Sequence, residues 1–250
     1  MKRKIETMTS KKDKFKEIIK NSAREDFIAG IHNYCDRWCE KCAFTHKCSV
    51  FAMEMEMFAG NEKSYELDED FFDSISAMFK ATMELVQEKM EELGITIDDI
   101  ELEEDNSEHQ ERGITIKKLA EKYSHDVGNW LKENDLWVNE IMENDVNPNK
   151  LKDVLETIIY YHIFIAAKID RAASGLNEDD EIYIYDMNGS AKIAGIAIER
   201  SIGAWGILLQ QATQFEDDIY YFLKMLIELK KEIKMYFPGA ESFIRPGFDE

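Results

Sequence analysis

Four thiols are crowded into one short stretch of this chain: HNYCDRWCEKCAFTHKC, residues 32–48, holds all of its cysteines, Cys35, Cys39, Cys42 and Cys48. Their spacing is C-x3-C-x2-C-x5-C. With His32 and His46 added, residues 32, 35, 39, 42 and 46 are separated by three, four, three and four positions, so they would share one face of a continuous α-helix. Thiolates so close together suit a thiophilic metal. Two plainer readings compete: a row of small buried residues, since free cysteine packs as a small hydrophobe, or a local disulfide. An apolar seam would sooner use Leu, Ile or Ala than cysteines flanked by histidines and by the polar run DRWCEK, and a reducing compartment opposes a disulfide. The metal reading is therefore carried forward, with the four cysteines as ligands. His32 and His46 are its auxiliaries, either replacing a ligand or hydrogen-bonding to one.

Structural zinc commonly takes two ligand pairs separated by roughly a dozen residues, so that two knuckles approach from opposite sides. Here four thiols fall within 14 residues, a span that encloses a bulky cluster more readily than it wraps one small ion. The expectation is a [4Fe–4S] cluster ahead of zinc. Cu(I) ranks third: FAMEMEMFAG places Met53, Met55 and Met57 just beyond the cysteines, but a helix turns Met55 away from the other two, and methionine is common core filler. Cys39-x2-Cys42-x5-Cys48 resembles the opening of the SPASM-type auxiliary-cluster motif found beside radical S-adenosylmethionine domains. Cys35-x3-Cys39-x2-Cys42 is similar in spacing to the cluster loop of those domains. The resemblance stops at the cysteines: the next SPASM ligand would fall at Ala52, and the strand–helix alternation of the radical enzymes is missing. It implies cluster binding rather than radical chemistry.

A second group of polar residues lies near the C-terminus. On DVLETIIYYHIFIAAKIDRAAS the apolar face runs through Leu155, Ile158, Ile159, Ile165, Ile169 and Ala172 with His162 in its middle, and Lys168 and Arg171 flank it. On SAKIAGIAIERSIGAWGILLQQ one line reads Lys192, Gly195, Glu199, Gly203, Gly206, where glycines would allow a neighbouring helix or a ligand to come close. A buried Glu199 would need Lys192, Arg171 or Arg200 as its partner. His162, Arg171, Lys192 and Glu199 are thus the candidate pocket of a helical enzyme whose cysteine site is merely structural. The plainer reading is a core histidine and an internal salt bridge, as in a protein-interaction scaffold without catalysis. A carboxylate-bridged di-iron centre needs two Glu-x-x-His pairs; the sequence has none, and Glu121 with His125 stands alone. Nucleophile-elbow, Walker A and dinucleotide-binding motifs are also missing.

The elements that must position these residues read as helices. Three prolines and 12 glycines in 250 residues leave little punctuation. Helical periodicity runs through Phe15, Ile18, Ile19, Phe27, Ile28 and Ile31, and again through Phe72, Ile75, Met78, Phe79, Met83, Val86 and Met90. The latter helix opens at a Ser64 cap and stops at Gly94. Four further helices follow, with Asn188 or Ser190 as a possible cap of the third, and EIYIY at 181–185 is the only strand-like piece. The predicted fold is all-α: an antiparallel helical bundle of about six or seven helices with an N-terminal cysteine-rich metal-binding segment. The predicted division is residues 1–62 against 63–250, packed as one unit, with an acidic loop at 95–112. The net charge of −20 disfavours nucleic acid despite eight Lys/Arg among residues 1–20. No apolar run is long enough to suggest a membrane span, so a cytoplasmic protein with a protein or redox partner is expected.

Overall fold

The structure, a computed structural model, describes residues 25–58, parts of 76–94, 113–143 and 151–249. The Ser64 cap, the acidic loop at 95–112 and the basic N-terminal run lie outside them. The described residues contain helices and turns and no strand, so the described part of the chain is all-α. None of these helices is long and apolar enough to cross a membrane. Contacts divide the chain into two compact units, Met1–His32 with Trp38–Asn106, and Asn33–Arg37 with Ser107–Glu250.

Residues 25–32 and Trp38 of the first unit, and 33–37 of the second, are not the helix that the periodicity predicts; they run through turns and irregular backbone. Two 3-10 turns follow, Cys39–Lys41 and Thr45–Lys47, and then helix α1, Ser49–Phe58. The Ile28 N–H donates to the Lys47 carbonyl at 3.0 Å and closes the loop on itself. Aromatic residues, histidines, cysteines, Gly30, Asn33 and Asp36 are dense between 27 and 47, and their low helix propensity weakens any helix nucleus there. Helical residues reappear between 76 and 92 and end at Gly94, whose φ of +66° is the left-handed conformation glycine adopts freely. Phe79, Met83 and Val86 are exposed on that stretch.

The second unit is built from α2 (Ile114–Glu133), α3 (Asp135–Glu143), α4 (Leu151–Ser174), α5 (Glu181–Gln211) and α6 (Glu216–Tyr236). Helix α4 packs on α2, α3 and α5, and α6 packs on α5 and α2, closing a ring of pairwise contacts. Contact registers show neighbouring helices running in opposite directions. Lys117 pairs with Asp170 at 2.8 Å, while a Cβ on Gly128 would reach the His162 ring. Between α4 and α5, Arg171 pairs with Asp186 and Arg200 donates to Tyr161. Between α5 and α6, Lys230 meets Glu199 at 2.8 Å and Trp205 packs on Phe222.

Apolar period explains the buried set. Ile116, Ala120, Tyr123, Val127 and Trp130 of α2 face Leu155, Ile158, Ile165 and Ile169 of α4, while α5 contributes Ile193, Ala194, Ala197, Ile198, Trp205 and Leu208. The small residues of α5 permit close helix approach, and Trp205 fills the wider end. Its indole N–H donates to the Tyr123 hydroxyl at 3.0 Å, giving both buried polar groups a partner. EIYIY is the first turns of α5 rather than a strand. Helix α5 begins eight residues before the expected Asn188 cap, at Asp180, whose carboxylate accepts the Ile182 N–H at 2.7 Å. One cap plus continuous helix beyond it outweighs the weak β preference of four residues.

Two glycines of α5 predict opposite responses to alanine. At Gly189 a Cβ would overlap the Tyr34 ring and press on Phe243, whereas at Gly203 it would meet nothing within 4 Å. Gly189→Ala is expected to destabilise the protein by about 1–3 kcal/mol through overpacking. Gly203→Ala should stabilise it by about 0.5–1 kcal/mol, because glycine in an open helical position carries only an entropic penalty. Chemical denaturation of both variants measures the difference.

Candidate metal centre

Cys39, Cys42 and Cys48 belong to the first unit and Cys35 to the second; all four are partly buried and none forms a disulfide. They do not occupy one helix face. The chain turns too tightly: Cys39 opens the first 3-10 turn, and Cys42 and Cys48 each follow such a turn in extended backbone, with φ/ψ of −89°/126° and −107°/114°. The Cys42 N–H donates to the Cys39 carbonyl at 3.1 Å and the Cys48 N–H to the Thr45 carbonyl at 3.2 Å. Cys42 Sγ accepts the Phe44 N–H at 3.4 Å. Cys48 lies directly before α1, and its backbone carbonyl accepts the Ala52 N–H at 3.0 Å as the first hydrogen bond of that helix. His46 is exposed and His32 partly buried. Met53 is partly buried and Met55 exposed on α1. Among the described residues no three His, Cys, Asp or Glu side chains form a group able to hold a metal ion.

Cys35 sits between two anchors of the second unit. On one side the Tyr34 ring lies against Gly189, 4.9 Å from the Phe243 ring and 5.8 Å from that of Tyr185. Its hydroxyl donates to Asp186 Oδ1 at 3.2 Å, and burial together with the Asp186 carboxylate pushes the phenol up to about 12. Arg171 grips the same carboxylate through two hydrogen bonds, Nε–Oδ2 at 2.8 Å and Nη2–Oδ1, and Asp186 is held below the usual carboxylate range by that guanidinium against the opposing effect of burial. On the other side, the Asp36 carboxylate accepts from Arg200 and, at 2.9 Å, from the Tyr161 hydroxyl, while its carbonyl accepts from Tyr160 at 2.7 Å. Lys168 Nζ reaches the Asn33 carbonyl at 3.4 Å. Arg37, next in the chain, has φ +60°, a left-handed conformation uncommon for a residue with a side chain.

The four residues predicted to form an enzyme pocket have separate partners. His162 is 7% exposed and donates from Nδ1 to the Ile159 carbonyl at 2.7 Å, which leaves Nε2 as the acceptor nitrogen facing Gly128. Arg171 is engaged by Asp186, and Lys192 Nζ donates to the Glu241 carbonyl at 2.8 Å. Glu199 is exposed and pairs with Lys230 rather than with Lys192, Arg171 or Arg200. The glycine line beside it, Gly195, Gly203 and Gly206, faces open space instead of a closely packed helix. The period of α5 accounts for this: its buried positions 194, 197, 198, 201, 204 and 205 leave 199 and 203 on the opposite side. The clasp residues Tyr34, Asp36, Tyr161, Asp186 and Arg200 were not readable as a group, because their partners lie 15 to 164 positions apart and share no motif. The only local signal was an aspartate and a tyrosine bracketing Cys35.

Two outcomes follow from this geometry. Burial holds His162 below the ordinary 6.5, so its neutral form stabilises the fold above that value and the contribution is lost as pH falls from about 6.5 toward the folded-state value. Equilibrium denaturation between pH 7.5 and 5 should therefore show a decline that is flatter in His162→Met; equal slopes would contradict it. Asp36→Ala removes the acceptor shared by Arg200 and Tyr161 and should cost about 1–2 kcal/mol, with the half-exposed guanidinium contributing the smaller share. Denaturant midpoints of this variant test that figure.

No protein-family model, curated protein or solved structure matches the chain.

Proposed function

We propose that this is a metal-binding helical protein in which Cys35, Cys39, Cys42 and Cys48 hold an iron–sulfur cluster, [4Fe–4S] ahead of zinc, in a redox, sensing or structural role. The reading takes the chain as an antiparallel bundle of about six or seven helices carrying an N-terminal metal segment, and it sets the protein in a reducing cytoplasm with a protein or redox partner. The observation that carries it is the local form of the cysteine segment: two successive 3-10 turns, each ending in an extended cysteine, with a backbone N–H already donating to Cys42 Sγ. Short turns with N–H groups directed at sulfur suit a metal-bound thiolate, because hydrogen bonds to the sulfurs and nearby dipoles stabilise its charge. Partial burial of all four thiols and the absence of a disulfide agree with this. Loading would gather the thiols, so that ligand binding and the ordering of residues 32–48 are one coupled process.

Anaerobic purification followed by visible absorption and by iron, sulfide and zinc analysis tests the proposal. Broad visible absorption with iron and acid-labile sulfide is expected, lost together in Cys39→Ser or Cys42→Ser. Stoichiometric zinc without iron would replace the cluster by its alternative. A chain containing neither metal, with unchanged stability in the serine variants, would return the cysteines to a packing role.

A further inference from the structure

We infer that the N-terminal turns of α5, with the acidic residues leading into them, are a docking surface for a protein segment that carries an apolar stripe bordered by lysine and arginine. All of the residues concerned belong to the second unit and none is a cysteine, so this surface is independent of the metal reading.

Exposure singles these turns out. Ile182, Tyr183, Ile184 and Tyr185 are 78, 55, 39 and 51% exposed, and among the described residues no other run of even three large apolar side chains is exposed at successive positions. Successive helical residues point about 100° apart, so four in a row reach round the helix instead of forming one inward face. Their packing is at the inner end, where the Tyr185 ring lies 4.8 Å from that of Phe243; Ile244, the next residue, is itself exposed. The buried positions of α5 begin only at Gly189. Helix formation does not call for these side chains, since the Asp180 cap starts α5 and Ile and Tyr are middling helix formers. Apolar surface gathered in this way and rimmed by charge marks interaction sites, where tyrosine is enriched.

The rim sets the sign of the partner. Between residues 172 and 191 the chain has five carboxylates, Glu178, Asp179, Asp180, Glu181 and Asp186, and no lysine or arginine. Asp186 is taken by Arg171 and Asp180 by the helix cap, while Glu178, Asp179 and Glu181 are exposed and have no ion-pair partner among the described residues. A helix N-terminus favours acids in its first turn, which accounts for Asp180 and Glu181; Glu178 and Asp179 precede the cap. A partner with Lys or Arg beside its apolar stripe complements both parts of this surface. A second copy would set the same carboxylates against one another on chains of net charge −20, and an anionic bilayer would meet them with like charge.

Fluorescence anisotropy of the full chain with a labelled synthetic helical peptide of leucine and lysine, its leucines on one face, tests the surface. Salt-sensitive binding is expected, weakened roughly tenfold in the double variant Ile182→Ser/Tyr183→Ser, which removes central apolar anchors. Glu178→Gln/Asp179→Asn, which leaves the Asp180 cap in place, should weaken it several-fold and flatten its salt dependence; it serves alone if circular dichroism shows the first variant unfolded. No binding by the parent, or equal binding by the folded variants, overturns the surface, the peptide then being held by the general negative charge of the chain. Equally tight binding of a leucine–glutamate peptide of the same pattern overturns the charge assignment. Self-association in sedimentation, or co-sedimentation with phosphatidylglycerol vesicles, abolished by the apolar variant would give the face to a second copy or a membrane and overturn the proposal.

Discussion

The second unit depends on how closely α5 can approach its neighbours. Ala191, Ala194, Ala197, Ser201 and Ala204 line its buried face, and Ile193, Ile198, Trp205 and Leu208 fill the gaps between them. Small side chains bring the backbones together, and one large aromatic then closes the space at the far end against Trp130 and Phe222. Because interiors are packed at crystal-like density, this alternation leaves little freedom for α5 to slide or rotate. Every polar contact on its rim, from Asp186 to Arg200, inherits its position from that fit.

The seat for residues 33–37 is one such consequence. Gly189 removes the side chain that would block Tyr34, and the aromatic ring enters where a Cβ would have been. Electrostatics then take over from packing: Arg171 and Asp186 form a two-pronged pair beneath the Tyr34 hydroxyl, and Arg200 with two tyrosine hydroxyls surrounds Asp36. Individually these partly exposed bonds are modest. Together they specify the conformation of a five-residue loop that includes one of the four cysteines.

Much of the helical content could be read from periodicity, most securely in α4, whose expected face is buried at Leu155, Ile158, Ile165, Ile169 and Ala172 and only partly so at Ile159. The errors have local causes. EIYIY has β-branched and aromatic residues but also an aspartate in front of it, and the cap decided its conformation. Residues 25–38 repeat apolar side chains at helical spacing, yet Gly30, Asn33 and a left-handed Arg37 interrupt the backbone. Glu199 was placed inside because glycines on its line suggested close packing; the same glycines face open space. A periodic line identifies residues that share a face without saying which face is covered.

What the sequence alone determined was chemistry type and element type. Four thiols within 14 residues are a covalent fact of the chain, and apolar periods with few helix breakers imply helices whatever their arrangement. Tertiary structure alone decided partnership: that Glu199 meets Lys230, that His162 donates to its own helix, and that Asp36 belongs to Arg200, 164 positions away. Helical hydrogen bonds form between residues four apart and are therefore written locally. Ion pairs and clasps depend on which faces are left exposed once the apolar ones are buried, and that choice is made by the whole packed unit.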